Sequence, residues 1–265
     1  MLLEALLGPL LGPPLAIPAA SSLPPPPTAA PCPADMEWIH GTHHENVQRV
    51  CLDYRDGHCL SFFPGLLLRE SRATPVHVCM DRYEWPNRFG AKPVVMRRFV
   101  EAEAACASVG KRLCSEFEWE LACEGPSTLP WPYGFASRRG TCHSDEPFRP
   151  YDEQKLTSLD EDVRNDETDR LYQAVGAGER TGCQSPFGVF DLVGNVEEWV
   201  VTSRREWPFR SALKGGYWSK PWAACRGTNE RHGPTFRYYQ IGFRCCRAPS
   251  ITSAVPHAPD QAASP

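Results

Sequence analysis

Residues 185–200 read SPFGVFDLVGNVEEWV. Short apolar pieces are cut by Pro186, Gly188, Asp191, Gly194 and Asn195, and the stretch closes on Trp199 and Val200. Gly194 lets the chain turn sharply, and Asp191 and Asn195 are residues that cap turns. The same texture fills most of the chain: short apolar pieces broken by Gly, Pro and Asn, many ending in aromatics. Helical signals are few. FVEAEAACASVGKRL (99–113) reads as a helix stopped at Gly110, a residue type suited to the left-handed C′ position. SEFEWELACEG (115–125) carries a capping box, with Ser115 as N-cap, Glu118 three residues on and Gly125 as the stop. Two helices in a loop-rich chain describe an irregular α+β domain, not a barrel or a doubly wound sheet.

The chain has 265 residues and 12 cysteines, spread from Cys32 to Cys246 with no CxxC pair. That spacing argues against zinc ribbons and thioredoxin-type sites and for disulfides formed in an oxidising compartment. A net charge of -4 argues against a nucleic-acid binder, which would normally show a basic face. There is no unbroken apolar run of about 18 residues, so no transmembrane segment is expected. Residues 1–33 read as a possible export segment ending in AIPAASS, without a basic start, followed by the proline-rich SSLPPPPTAAPCP. The folded domain is expected over 34–248, with a disordered tail over 249–265. The acidic stretch between Gly134 and Gly178, centred on DEDVRNDETD, is expected to be a solvated, loop-like insertion, with cation binding as the lesser reading.

Five pieces in register, RYEWPN (82–87), GKRLCSEFEWELACEG (110–125), the opening stretch, LKGG (213–216) and IGFRCCR (241–247), resemble the formylglycine-generating enzyme and sulfatase-modifying-factor family. The resemblance runs from about Val76 to Arg247 and implies that family's fold: a loop-rich, C-type-lectin-like variant with two main helices and little regular sheet. It implies disulfides Cys106–Cys245 and Cys123–Cys225, with Cys246 an alternative to Cys245 because neighbours in a strand face opposite ways. Cys142 with Cys183 and Cys51 with Cys59 are pairings suggested for the remainder. It further implies a calcium site from Asp191, the carbonyls of Gly194 and Val196, and Glu198, chemistry that suits a hard ion. The family's other calcium site is not carried over, since His143 stands about where an asparagine is expected.

The family's oxidase chemistry uses two cysteines between the GG motif and the disulfide cysteine, which hold Cu(I) as thiolates. Here the interval between Gly216 and Cys225 is YWSKPWAA, without a cysteine. The tryptophan of the usual GNxWEW pattern is Glu197, and the arginine expected after the disulfide cysteine is Thr228, with Arg226 and Arg231 close by. No catalytic residue is therefore assigned and copper is not expected; Cys79 and Cys114 remain as free thiols outside the catalytic loop. Trp218, Trp222, Arg226 and Arg231 are candidates for lining the cleft, where exposed aromatics suit peptide or sugar binding. Glu84 reads as a structural hydrogen-bonding residue, and His40, His43 and His44 as a polar turn in preference to a metal site. Two functions follow: a secreted, calcium-holding binding or structural module for a peptide or protein ligand, or a divergent formylglycine-generating or related oxidative tailoring enzyme.

Overall fold

The computed structural model describes residues 30–69, 72–202 and 209–250. The expected export segment and nearly all of the tail lie outside them. Strand β1 (Met36–His44) pairs antiparallel with β4 (Ala73–Asp81) along its whole length, Met36 opposite Asp81 and His44 opposite Ala73. Between them the chain runs out and back as a hairpin of β2 (Val47–Arg55) and β3 (His58–Arg69), turning at Asp56 and Gly57 with positive φ. Two short strands, β5 (Arg112–Leu113) and β10 (Cys245–Arg247), complete a sheet of order β1-β4-β10-β5. Pro75 is tolerated because β10 reaches β4 only at Cys79 and Met80, which leaves that edge of β4 open at the proline. A second four-stranded sheet, β8-β7-β6-β9, is built from β6 (Glu197–Val201), β7 (Ser211–Lys214), β8 (Thr228–Asn229) and β9 (Ile241–Phe243).

Helices α1 (Phe99–Ser108) and α2 (Glu116–Glu124) form as their local signals require. α1 buries Phe99, Ala102 and Cys106, a single helical stripe, and Gly110 follows its end at φ +69. At the head of α2, Ser115 Oγ accepts from the Glu118 amide at 3.3 Å while the Glu118 carboxylate accepts from the Ser115 amide at 2.7 Å. Gly125 ends it at φ +62, where a Cβ would meet Pro186 Cγ at 2.6 Å.

One expectation is corrected in part here. The acidic stretch is loop over 137–152 and 172–178, but its centre folds as α3 (Glu153–Leu156) and α4 (Glu161–Leu171), capped by Asp152 and Asp160, whose carboxylates accept the first free amides. The two helices each give one buried leucine, Leu156 and Leu171, to a cluster with Val196, Trp218 and Tyr239, too sparse a pattern to announce a helix. Regular sheet is divided among several small sheets, with the longest strands in β1 to β4.

All 12 cysteines are bridged: Cys32–Cys79, Cys51–Cys59, Cys106–Cys245, Cys114–Cys246, Cys123–Cys225 and Cys142–Cys183. Cys79 and Cys114 are therefore not free thiols, and Cys246 does not substitute for Cys245. The two neighbours on β10 face opposite ways, one toward α1 and the other toward the start of α2. Six such bonds persist in an oxidising compartment. Among the described residues no helix is long and apolar enough to cross a membrane.

Candidate functional site

The cleft is organised by Gly215 and Gly216 at the end of β7, both with positive φ. A Cβ on Gly215 would lie 2.9 Å from the Leu192 carbonyl and 3.1 Å from Trp119. One on Gly216 would lie 2.7 Å from Ala223 and 3.0 Å from the Lys220 stem. The glycines thus let the 217–225 loop fold back over the chain's own backbone. The loop is held by two successive reverse turns, Lys220 N–H to Tyr217 C=O and Ala223 N–H to Lys220 C=O, both 3.0 Å, and its end is fixed by the Cys123–Cys225 bond.

The four expected cleft residues separate. Trp218 is 1% exposed and packs with Tyr172, Tyr217 and Tyr239 in the cluster under α4, so it is a core residue and not a cleft wall. Arg226 grips Glu124 of α2 through two hydrogen bonds of 2.7 and 2.8 Å and also donates to the carbonyls of His44 and Glu45. It clamps the loop end to α2. Arg231 lines a separate depression with Phe209 and His232. Only Trp222, 45% exposed, stands at the cleft, its indole stacked on His58 at 5.0 Å and 6°. His58 comes from the tip of the β2–β3 hairpin.

These two rings divide the cleft. Inward lies a cavity of about 280 Å³ bordered by Glu197, Gly215, Gly216, Lys220, Ala223 and Thr228. Outward lies a hollow of about 450 Å³ lined by Arg55, Asp56, Ser137, Arg139, Asp145 and Glu146. In the inner cavity Lys220 Nζ donates to Glu197 Oε1 at 3.3 Å. Burial raises the Glu197 carboxyl, and Lys220 works against that shift.

Beneath the cleft the turn before β6 gathers Glu84, Asp191, Glu198 and Arg244, all buried. Arg244 donates to both oxygens of Glu198, at 2.6 and 2.8 Å, and the Trp119 indole donates to one of them at 2.9 Å. Glu84 accepts from the Asn195 amide group at 2.9 Å and from the Val196 N–H at 3.4 Å. Asp191, at φ +57, accepts from the Gly178 N–H at 2.6 Å through one oxygen; its other oxygen has no hydrogen-bond partner among the described residues. Three carboxylates thus face one guanidinium in a buried site. Burial and the neighbouring carboxylates raise Glu84 well above the usual range, and burial pushes Asp191 up to about 6. An orphaned oxygen and an excess of negative charge fit a cation here, although Arg244 and Trp119 together already donate three hydrogen bonds to Glu198. No group of three or more His, Cys, Asp or Glu side chains is arranged to hold a metal among the described residues, so any ion here would depend on backbone carbonyls as well.

The three histidines do not form a turn. They lie on β1, where His43 is buried, stacks on Phe117 at 4.6 Å and hydrogen-bonds Glu120 of α2 at 2.6 Å. Glu116, Glu120 and Glu124 recur every fourth residue on one buried face of α2. Lys214 meets Glu120 at 2.6 Å and Glu116 at 3.7 Å, and Arg226 meets Glu124. His58, Arg244 and the Lys220–Glu197 pair were not identified from the sequence. The substitution of glutamate for tryptophan at 197 was the one available signal.

Residues 72–249 match the sulfatase-modifying factor enzyme 1-like domain family, and the chain belongs to that family. Its fold is that family's loop-rich, disulfide-stabilised α+β fold, as the sequence motifs implied. Curated relatives include hercynine oxygenase of Mycolicibacterium smegmatis, 35% identical over 120 residues, 45% of this chain and 24% of that protein. Inactive C-alpha-formylglycine-generating enzyme 2 of Bos taurus is 28% identical over 164 residues, 58% of this chain and 49% of that protein. An uncharacterized Bacillus subtilis protein, YfmG, is 25% identical over 188 residues, 62% of this chain and 37% of that protein. The chain therefore spans between a quarter and half of these relatives. Among solved structures, CarF aligns over 79% of this chain and 98% of its own, with 13% identity and a TM-score of 0.48. The hairpin that supplies His58 precedes the matched segment.

Proposed function

We propose that this protein is a secreted, ligand-binding member of its family, without cysteine-copper oxidase activity. The observation that carries this reading is the complete bridging of its cysteines, which leaves no thiolate to hold Cu(I), a soft ion that selects such ligands. The loop that would bear the family's thiol pair instead presents Lys220 and Trp222 to a two-compartment cleft. A peptide or protein segment is the proposed ligand, with the exposed indole as its apolar contact. Calcium is the proposed structural ion beneath the cleft, held by Asp191, Glu198 and the carbonyls of Gly194 and Val196. It would neutralise the buried carboxylates and stiffen the turn from which Glu197 projects. The test is incubation with Cu(I), oxygen and a cysteine-containing sulfatase-motif peptide, followed by mass spectrometry. The peptide is expected back unchanged; the aldehyde-bearing product would overturn the reading.

A second reading, an oxidative tailoring enzyme of another kind, is favoured by the identity to a relative named hercynine oxygenase. It would need a metal held by nitrogen or oxygen, and the same assay with Fe(II) in place of copper separates it from the first.

A further inference from the structure

Two departures from the family pattern meet in space. Glu197 stands where the pattern has tryptophan, Lys220 lies in the interval where the oxidases carry their thiols, and the two side chains are paired inside the inner cavity at 3.3 Å. Their exposures differ: the Glu197 side chain is 4% accessible and that of Lys220 is 30%. Such a pair is easily opened from one end only. The lysine head can swing into water at little cost, as partly exposed ion pairs are worth little. The carboxylate cannot follow, and a buried charge stripped of its partner is strongly unfavourable.

We infer that the inner cavity is a recognition site for a cationic group, an ammonium or guanidinium on an extended side chain, and that Lys220 is its tethered competitor. The inference rests on the reading of the cleft as a ligand site. A ligand cation that displaces Lys220 keeps Glu197 paired. An anion drawn to Lys220 would leave the buried Glu197 carboxylate with no cation and only the neutral Asn229 side chain as a hydrogen-bond partner, so the polarity of the ligand follows from which partner is buried. The cavity, about 280 Å³, is of side-chain scale, and Trp222 stands at its mouth, where an aromatic ring attracts an approaching cation. The loop turn at Tyr217–Lys220 and the absence of a side chain on Gly216 hold the lysine stem over the site. Lys220 therefore remains at high local concentration and sets a threshold that a ligand must exceed.

The experiment is an NMR titration of the full chain with Nα-acetyl-lysine amide and with its neutral isostere, Nα-acetyl-norleucine amide. Wild type, Lys220→Met and Glu197→Gln are compared. Removing the competitor is expected to tighten binding of the lysine probe by about three-fold, a difference of about 0.7 kcal/mol, the worth of a partly exposed pair. The probe should also raise the melting temperature of Lys220→Met. Glu197→Gln should lose the probe, and the norleucine probe should bind none of the three. Equal affinity in wild type and Lys220→Met, or equal binding of both probes, would overturn the inference and leave the pair a packing salt bridge. If Glu197→Gln does not fold, the Lys220→Met comparison decides alone. Binding of a neutral peptide that is lost in Trp222→Ala, with no response to the lysine probe, would sink this inference while the cleft reading stands. No binding of any peptide or probe would remove both.

Discussion

Trp218 and Trp222 are four residues apart on one loop and have opposite roles. Trp218 is walled in by tyrosines, and its truncation to alanine should cost about 3–5 kcal/mol in a denaturant melt. Trp222 rests one face on His58 and is half-exposed, so Trp222→Ala should cost far less, about 1 kcal/mol, while abolishing ligand binding. Equal losses of stability would refute this division. The sequence alone placed both indoles in the cleft segment, because adjacency along the chain was all it offered. Which side of the loop each faces depends on Gly216, and on α3 and α4, whose single anchoring leucines, Leu156 and Leu171, are too few to be read as a buried face. His58 was beyond reach for a similar reason: it approaches the cleft from about 160 residues upstream, as the tip of a hairpin whose position is set by non-local strand pairing.

At the scale of elements, the capped helices were legible because caps are local. Ser115 and Glu118 satisfy each other within one turn, whatever lies beyond. The buried glutamate face of α2 was not legible, since a glutamate every fourth residue ordinarily marks a solvated face. Its meaning comes from His43, Lys214 and Arg226 on three other segments. Burial pushes the Glu120 carboxyl up, but the hydrogen bond from His43 and the charges of Lys214 and Arg226 outweigh it and hold it at about 2, below its ordinary 4.5. The folded state thus binds this proton less readily than the unfolded chain. The stabilisation is complete above about pH 4.5 and is lost as pH falls toward about 2, amounting to about 3 kcal/mol. Denaturant melts over that range should show a steep acid limb in wild type. The limb should be shallower in Glu120→Gln, which will be less stable at neutral pH because Lys214 loses its closest anion. Parallel curves would exclude Glu120 as the source.

For the whole molecule, six bridges join segments that share little regular structure, and the three longest close loops with sequence separations of 139, 132 and 102 residues. In a chain-entropy view each of these restricts the unfolded chain by about 4.7 kcal/mol. Two of them were implied by family resemblance, while Cys32–Cys79 and Cys114–Cys246 were not foreseen, since connectivity among twelve cysteines is not a local property. The proposed ion makes a separate contribution. At a hundred-fold excess over its dissociation constant, calcium should add about 2.7 kcal/mol relative to chelator, and Asp191→Asn should erase that difference. Identical melts with calcium and with chelator would remove the ion from the account. The central claim is that the cleft offers no thiol, and mass mapping of the native, unreduced protein after exposure to an alkylating reagent tests it most directly. The expected result is no alkylated cysteine and a peptide pair joined through Cys123 and Cys225. An alkylated Cys225 would contradict the account.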